Sequence, residues 1–127
     1  MNVPAPQRTN AAAARAPDYA TVAELRDLYR VRAVSPVEVV RDLYARAEKF
    51  DAGLHCFVTP TPELALARAR DAEKQLMRGE AAGALTGIPY GLKDVINTAG
   101  VLTTGQSKIL QYNVPQHDAA VEAKMQR

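Results

Sequence analysis

The chain has 127 residues, 47% hydrophobic and 24% charged, the size and composition of one soluble domain with a modest core. Its 16 basic and 14 acidic side chains leave a formal net charge of +2, which gives no support to a surface that tracks nucleic-acid phosphates. A single cysteine, Cys56, excludes an intrachain disulfide framework and fits a reducing compartment; no stretch reaches the roughly 18 apolar residues of a membrane-spanning helix, so the expected location is cytoplasmic.

Residues 1–18 hold an alanine run interrupted by Arg15 and no continuous apolar stretch, which predicts a disordered leader. Thr21 and Glu24 then form a capping box, and Val22, Leu25, Leu28 and Tyr29 make one stripe of a short helix ending near Arg30 to Arg32. Ser35, Pro36 and Glu38 repeat the start signal for a second helix to about Phe50, with Val40, Leu43, Tyr44, Ala47 and Phe50 on its apolar side. The run Leu54 to Thr59, rich in β-formers between Gly53 and Pro60, predicts a short strand that buries Cys56. Thr61 and Pro62 open a third helix to about Arg78, whose small-residue face of Ala65, Ala69, Ala72 and Leu76 lets it lie close to a neighbour. After a linker from Glu80 to Leu85, four of the seven glycines fall between Thr86 and Leu110, a density that suggests backbone shaped around something. Ile88 to Ile96 reads as a buried strand leading into a loop. His117 or Asp118 caps a last helix that runs to the final residue without a terminating Gly or Pro, so the domain is expected to be incomplete at its C-terminal end.

Lys93 is the candidate for chemistry. Ile88, Pro89, Tyr90, Leu92, Val95 and Ile96 around it predict burial, and desolvation makes a lysine amine shed its proton more readily, which suits a general base acting on a hydroxyl. The alternatives are a pair with Asp94 or a side chain reaching into water. Asp94 reads mainly as a turn cap. Gly100 and Gly105 read as backbone geometry, and Thr103, Thr104 and Ser107 as loop-shaping residues. His55 and His117 show no metal-ligand spacing, and nothing basic adjoins Cys56 to activate it.

The stretch GIPYGLKDVINTAGVLTTGQSKIL is similar to the amidase-signature pattern of G-I-P, L-K-D, T-A-G, T-T and S-K. The S-P-V-E-V-V helix, the F-V-T run, the A-L-A-R-A-R-D-A helix and H-D-A-A-V follow in the order of those enzymes, so the resemblance covers residues 19–127. It implies an α/β fold, a mixed β-sheet surrounded by helices, of which this chain would hold helices and one or a few strands. It also implies hydrolysis of carboxylic amides by a Ser-cisSer-Lys triad. The lysine of L-K-D is the base of that triad and maps onto Lys93. A small-molecule amide is then the substrate of the full-length enzyme, no metal or organic cofactor is required, and a homodimer is left open. The alternatives are the A subunit of a glutamyl/aspartyl-tRNA amidotransferase and a non-catalytic truncated remnant. The flank P-Y-G-L-K-D is closer to general amidases than to the I-A-L-K-D form of amidotransferases. Ser35 and Ser107 are the only serines, and neither matches a triad position, so this chain is expected to be inactive alone. The apolar faces of helices 2 and 3 are expected to stay partly uncovered, which implies marginal stability.

Overall fold

The computed structural model describes residues 19–79 and 83–126; the expected leader, 1–18, lies outside them. The described residues include four α-helices, α1 (Val22–Arg30), α2 (Pro36–Leu54), α3 (Pro62–Met77) and α4 (Ala120–Met125), and a 3-10 turn (Lys108–Leu110).

The first two helices begin where local chemistry dictates. The Thr21 and Ser35 side chains accept the N–H of Glu24 and Glu38, and each glutamate returns a bond to the N-cap backbone, so two orphan donors are satisfied at each start. The principal contact between helices is α2 on α3, where Ala69 lets Val37 and Val40 approach and Tyr44, Ala65 and Leu66 pack at the edge. A second cluster joins Leu25 and Tyr29 of α1 to Val39, with Leu76 and Ile88 against it. Proline aside, only six hydrophobic residues are buried among those described, while Leu43, Phe50, Leu54 and Met77 stay substantially exposed. So small a core implies a modest stability for the chain on its own.

The α/β expectation is not met: the described residues contain no strand and no sheet. In place of a strand at 54–59, α2 continues to Leu54 and ends on His55 in the left-handed region, φ 51°. Asp51 holds that end, its backbone oxygen accepting the His55 N–H (2.8 Å) and its carboxylate the Cys56 N–H (2.6 Å). Cys56 is exposed there, not buried. Residues 88–96 are likewise irregular. β-Formers become strands only when another strand satisfies the ladder, and among the described residues none lies beside either run. The last helix starts at Ala120 with Ala119 as an uncapped N-cap, and Asp118 instead accepts the Ala99 N–H at 2.7 Å.

Gly87 ties the 83–88 turn to α1 and α2. The Tyr29 hydroxyl donates to its carbonyl at 2.9 Å, and burial pushes the Tyr29 phenol up to about 12, which keeps it a donor. Gly87 has φ +77°, and a Cβ there would meet Pro36 Cγ at 2.8 Å and Tyr29 Cε2 at 3.3 Å. Gly87→Ala is therefore expected to destabilise the chain by about 2 kcal/mol, through strain and overpacking together. A urea midpoint equal to that of the wild type would show that the turn relaxes freely.

Candidate functional site

Lys93 sits on the irregular segment between Ile88 and Ile96, which is held at several points. Ile88 packs on the α1–α2 cluster. Tyr90 donates its hydroxyl to Glu122 of α4 at 3.0 Å. Just past Lys93, Asp94 organises the following loop: its Oδ1 accepts the Thr104 N–H (2.8 Å), its Oδ2 accepts the Thr104 hydroxyl (2.5 Å) and the Gln106 N–H (3.2 Å), and its backbone oxygen accepts the Gly105 N–H (2.8 Å). Gly105, at φ 56°, supplies the left-handed turn that brings those donors round.

The side chain of Lys93 is exposed, so the expected burial is not found in the described residues. Val95 is 59% exposed and Tyr90 38%, so the apolar residues beside Lys93 in the chain do not wrap round its amine. The alternative Lys93–Asp94 pair does not form either. Asp94 is committed to the 104–106 turn, in line with its reading as a turn cap, and no described residue forms an ion pair with Lys93.

The Thr104 hydroxyl, then the Thr104 N–H, lowers the Asp94 carboxyl below the usual carboxylate range. Such a group contributes stability above its unfolded pKa of about 4 and loses it as pH falls through the lower folded value. The Thr104 and Gln106 amide resonances are therefore expected to shift together below pH 4. Asp94→Asn should remove that step, and a step persisting in Asp94→Asn would assign it elsewhere.

Both serines are helix caps. Ser35 accepts the Glu38 N–H at the start of α2, and Ser107 accepts the Ile109 N–H at the 3-10 turn. A cluster of polar side chains joins α3, α4 and Tyr90. Glu122, 0% exposed, accepts from Arg68 Nη1 (2.8 Å) and Gln126 Nε2 (2.7 Å) on Oε1 and from Tyr90 on Oε2. Burial and the bond to Glu122 raise the Tyr90 phenol above its ordinary value, so it stays protonated and donates. Sequence reasoning misses this cluster. Its signal is Arg68 on the small-residue face of α3 with Ala65, Ala69 and Ala72, a cation where an alanine stripe approaches a neighbour.

Among the described residues no helix is long and apolar enough to cross a membrane. A family model described as Amidase matches residues 38–127. Among curated proteins, the chain is 41% identical over 105 residues to the A subunit of the glutamyl-tRNA(Gln) amidotransferase of Geobacter sp. (strain M21), covering 83% of this chain and 21% of that protein. It is 46% identical over 101 residues to the protein of the same name from Methylococcus capsulatus, covering 80% and 21%, and 36% identical over 107 residues to that of Carboxydothermus hydrogenoformans, covering 84% and 22%. The chain thus spans about a fifth of the length of the curated relatives it matches. These relatives carry the amidotransferase name, whereas the P-Y-G-L-K-D flank ranks a general amidase first, and the name includes a tRNA that the charge balance does not suggest. On the match over residues 38–127, the chain belongs to the amidase family.

Proposed function

We propose that the protein carrying this chain cleaves carboxylic amide C–N bonds and that Lys93 is the general base of the reaction. One observation carries the reading. Lys93 lies in the L-K-D run inside the family match, on a segment held by Tyr90 and Asp94. A neutral lysine amine can take the proton of a serine hydroxyl, directly or through a bridging hydroxyl, as that oxygen attacks the amide carbon. The intermediate collapses with loss of the protonated amine, and water releases the acid from the acyl-enzyme. Covering Lys93 against water falls, in this reading, to residues beyond those described.

A nucleophilic serine does not stand among these 127 residues, since Ser35 and Ser107 are both caps. The purified 127-residue chain is therefore expected to release no ammonia from a primary aryl carboxamide such as benzamide above the blank. Turnover by it that disappears in Lys93→Ala would sink that part of the reading.

The names of the relatives favour a second reading, in which the amide is that of glutamine and the ammonia passes to a glutamyl-tRNA. The two readings share the base and differ in the acceptor. Ammonia release by the enzyme expressed from the whole gene, from a primary aryl carboxamide such as benzamide and from glutamine with and without aminoacyl-tRNA, separates them. Glutamine use stimulated by glutamyl-tRNA selects the second, aryl-amide hydrolysis indifferent to tRNA selects the first, and turnover unchanged in Lys93→Ala overturns both.

A further inference from the structure

The Glu122 cluster is costly to build. A buried carboxylate must recover several kcal/mol of lost hydration, and an apolar pair of equal volume commonly serves stability as well or better. What a satisfied buried ion pair does supply is a defined register between the elements it joins. Here those elements are α3 through Arg68, α4 through Glu122 and Gln126, and the 88–96 segment through Tyr90. The helices have backbone hydrogen bonds of their own. The 88–96 segment has neither helix nor ladder, so a few isolated tethers, the Tyr90 hydroxyl and Asp94 among them, decide where it lies.

Lys93 follows Tyr90 by three residues, a span of about 10 Å at most, and directly precedes Asp94 with its bonds to the 104–106 turn. It stands between two clamps. Arg68 Nη1 also lies 3.4 Å from the Tyr90 hydroxyl, which leaves that oxygen little freedom to turn from Glu122. We infer that Glu122, acting through the Tyr90 hydroxyl, is a positioning residue for Lys93, an inference that rests on Lys93 being the base of the proposed reaction.

Glu122→Gln keeps the shape but removes the charge and turns one of the two acceptor oxygens into an NH2 donor, so the three donors can no longer all be accepted, and Tyr90→Phe removes only the hydroxyl. In the enzyme expressed from the whole gene, each is expected to lower kcat about tenfold with KM nearly constant, and the double variant to lose little more than either alone. In the 127-residue chain, trace acetylation by acetic anhydride, read by mass spectrometry, should go at least about twofold faster at Lys93 in both variants as the segment loosens, with Lys49 of α2 unaffected. Circular dichroism matching the wild type shows that the helices survive. If Lys93→Ala leaves turnover intact, the base assignment fails and this inference falls with it. If Lys93→Ala abolishes turnover while both variants keep wild-type kcat and wild-type Lys93 labelling, the positioning role alone is overturned.

Discussion

Lys93→Ala in the enzyme expressed from the whole gene is expected to lower kcat/KM for amide cleavage by about a thousandfold, with KM within a factor of about two. The loss falls on kcat because the base acts as the proton moves, a contact absent from the ground-state complex. Lys93→Arg should be almost as damaging. A guanidinium keeps its proton at any working pH, so it preserves charge and reach but cannot accept a proton from a hydroxyl. An arginine variant with near wild-type kcat would mean that position 93 supplies only positive charge, for instance to bind a substrate carboxylate. The alanine variant separates chemistry from folding, because the side chain of Lys93 is exposed and makes no ion pair with any described residue.

Glu122→Ala carries the largest expected cost to stability, about 3 kcal/mol. It removes the acceptor of three donors, Arg68, Tyr90 and Gln126, and leaves a cavity where the described side chains are most buried. The figure sits at the low end for breaking a buried pair because the Arg68 side chain is 40% exposed, so water can solvate part of the guanidinium once it is abandoned. With so small a buried hydrophobic core among the described residues, the chain has little stability to lose, and the variant should unfold at markedly lower urea concentration or be recovered aggregated. Replacing Arg68 and Glu122 together by leucine should regain most of that loss, because no charge is then stranded. Glu122→Ala as stable as the wild type would show that the carboxylate is not buried as described.

The starts of α1 and α2 were legible because a capping box is a contract between residues three apart, and Thr21–Glu24 and Ser35–Glu38 honour it without reference to the rest of the fold. The alanine face of α3 was legible for the same reason. Strands at 54–59 and 88–96 were misread because a strand is a relation between distant segments, and β-branched composition does not say whether a partner lies alongside. Burial of Lys93 failed in a similar way: its apolar neighbours are adjacent in sequence, yet Val95 faces water and Tyr90 leans on Glu122. Asp94 as a turn cap was legible, since Asp is a residue that turns favour for accepting backbone N–H groups, although the turn it serves lies ten to twelve residues on. The Glu122 cluster was not, because its members come from three elements spread over more than fifty positions.

Lys93 acting as a base is the central claim, and chemical rescue tests it most directly. In Lys93→Ala of the whole enzyme, added primary amines are expected to restore amide cleavage, with rate constants that rise with amine basicity once corrected for size. An inactive variant that no amine revives, or a variant that never lost activity, would contradict it.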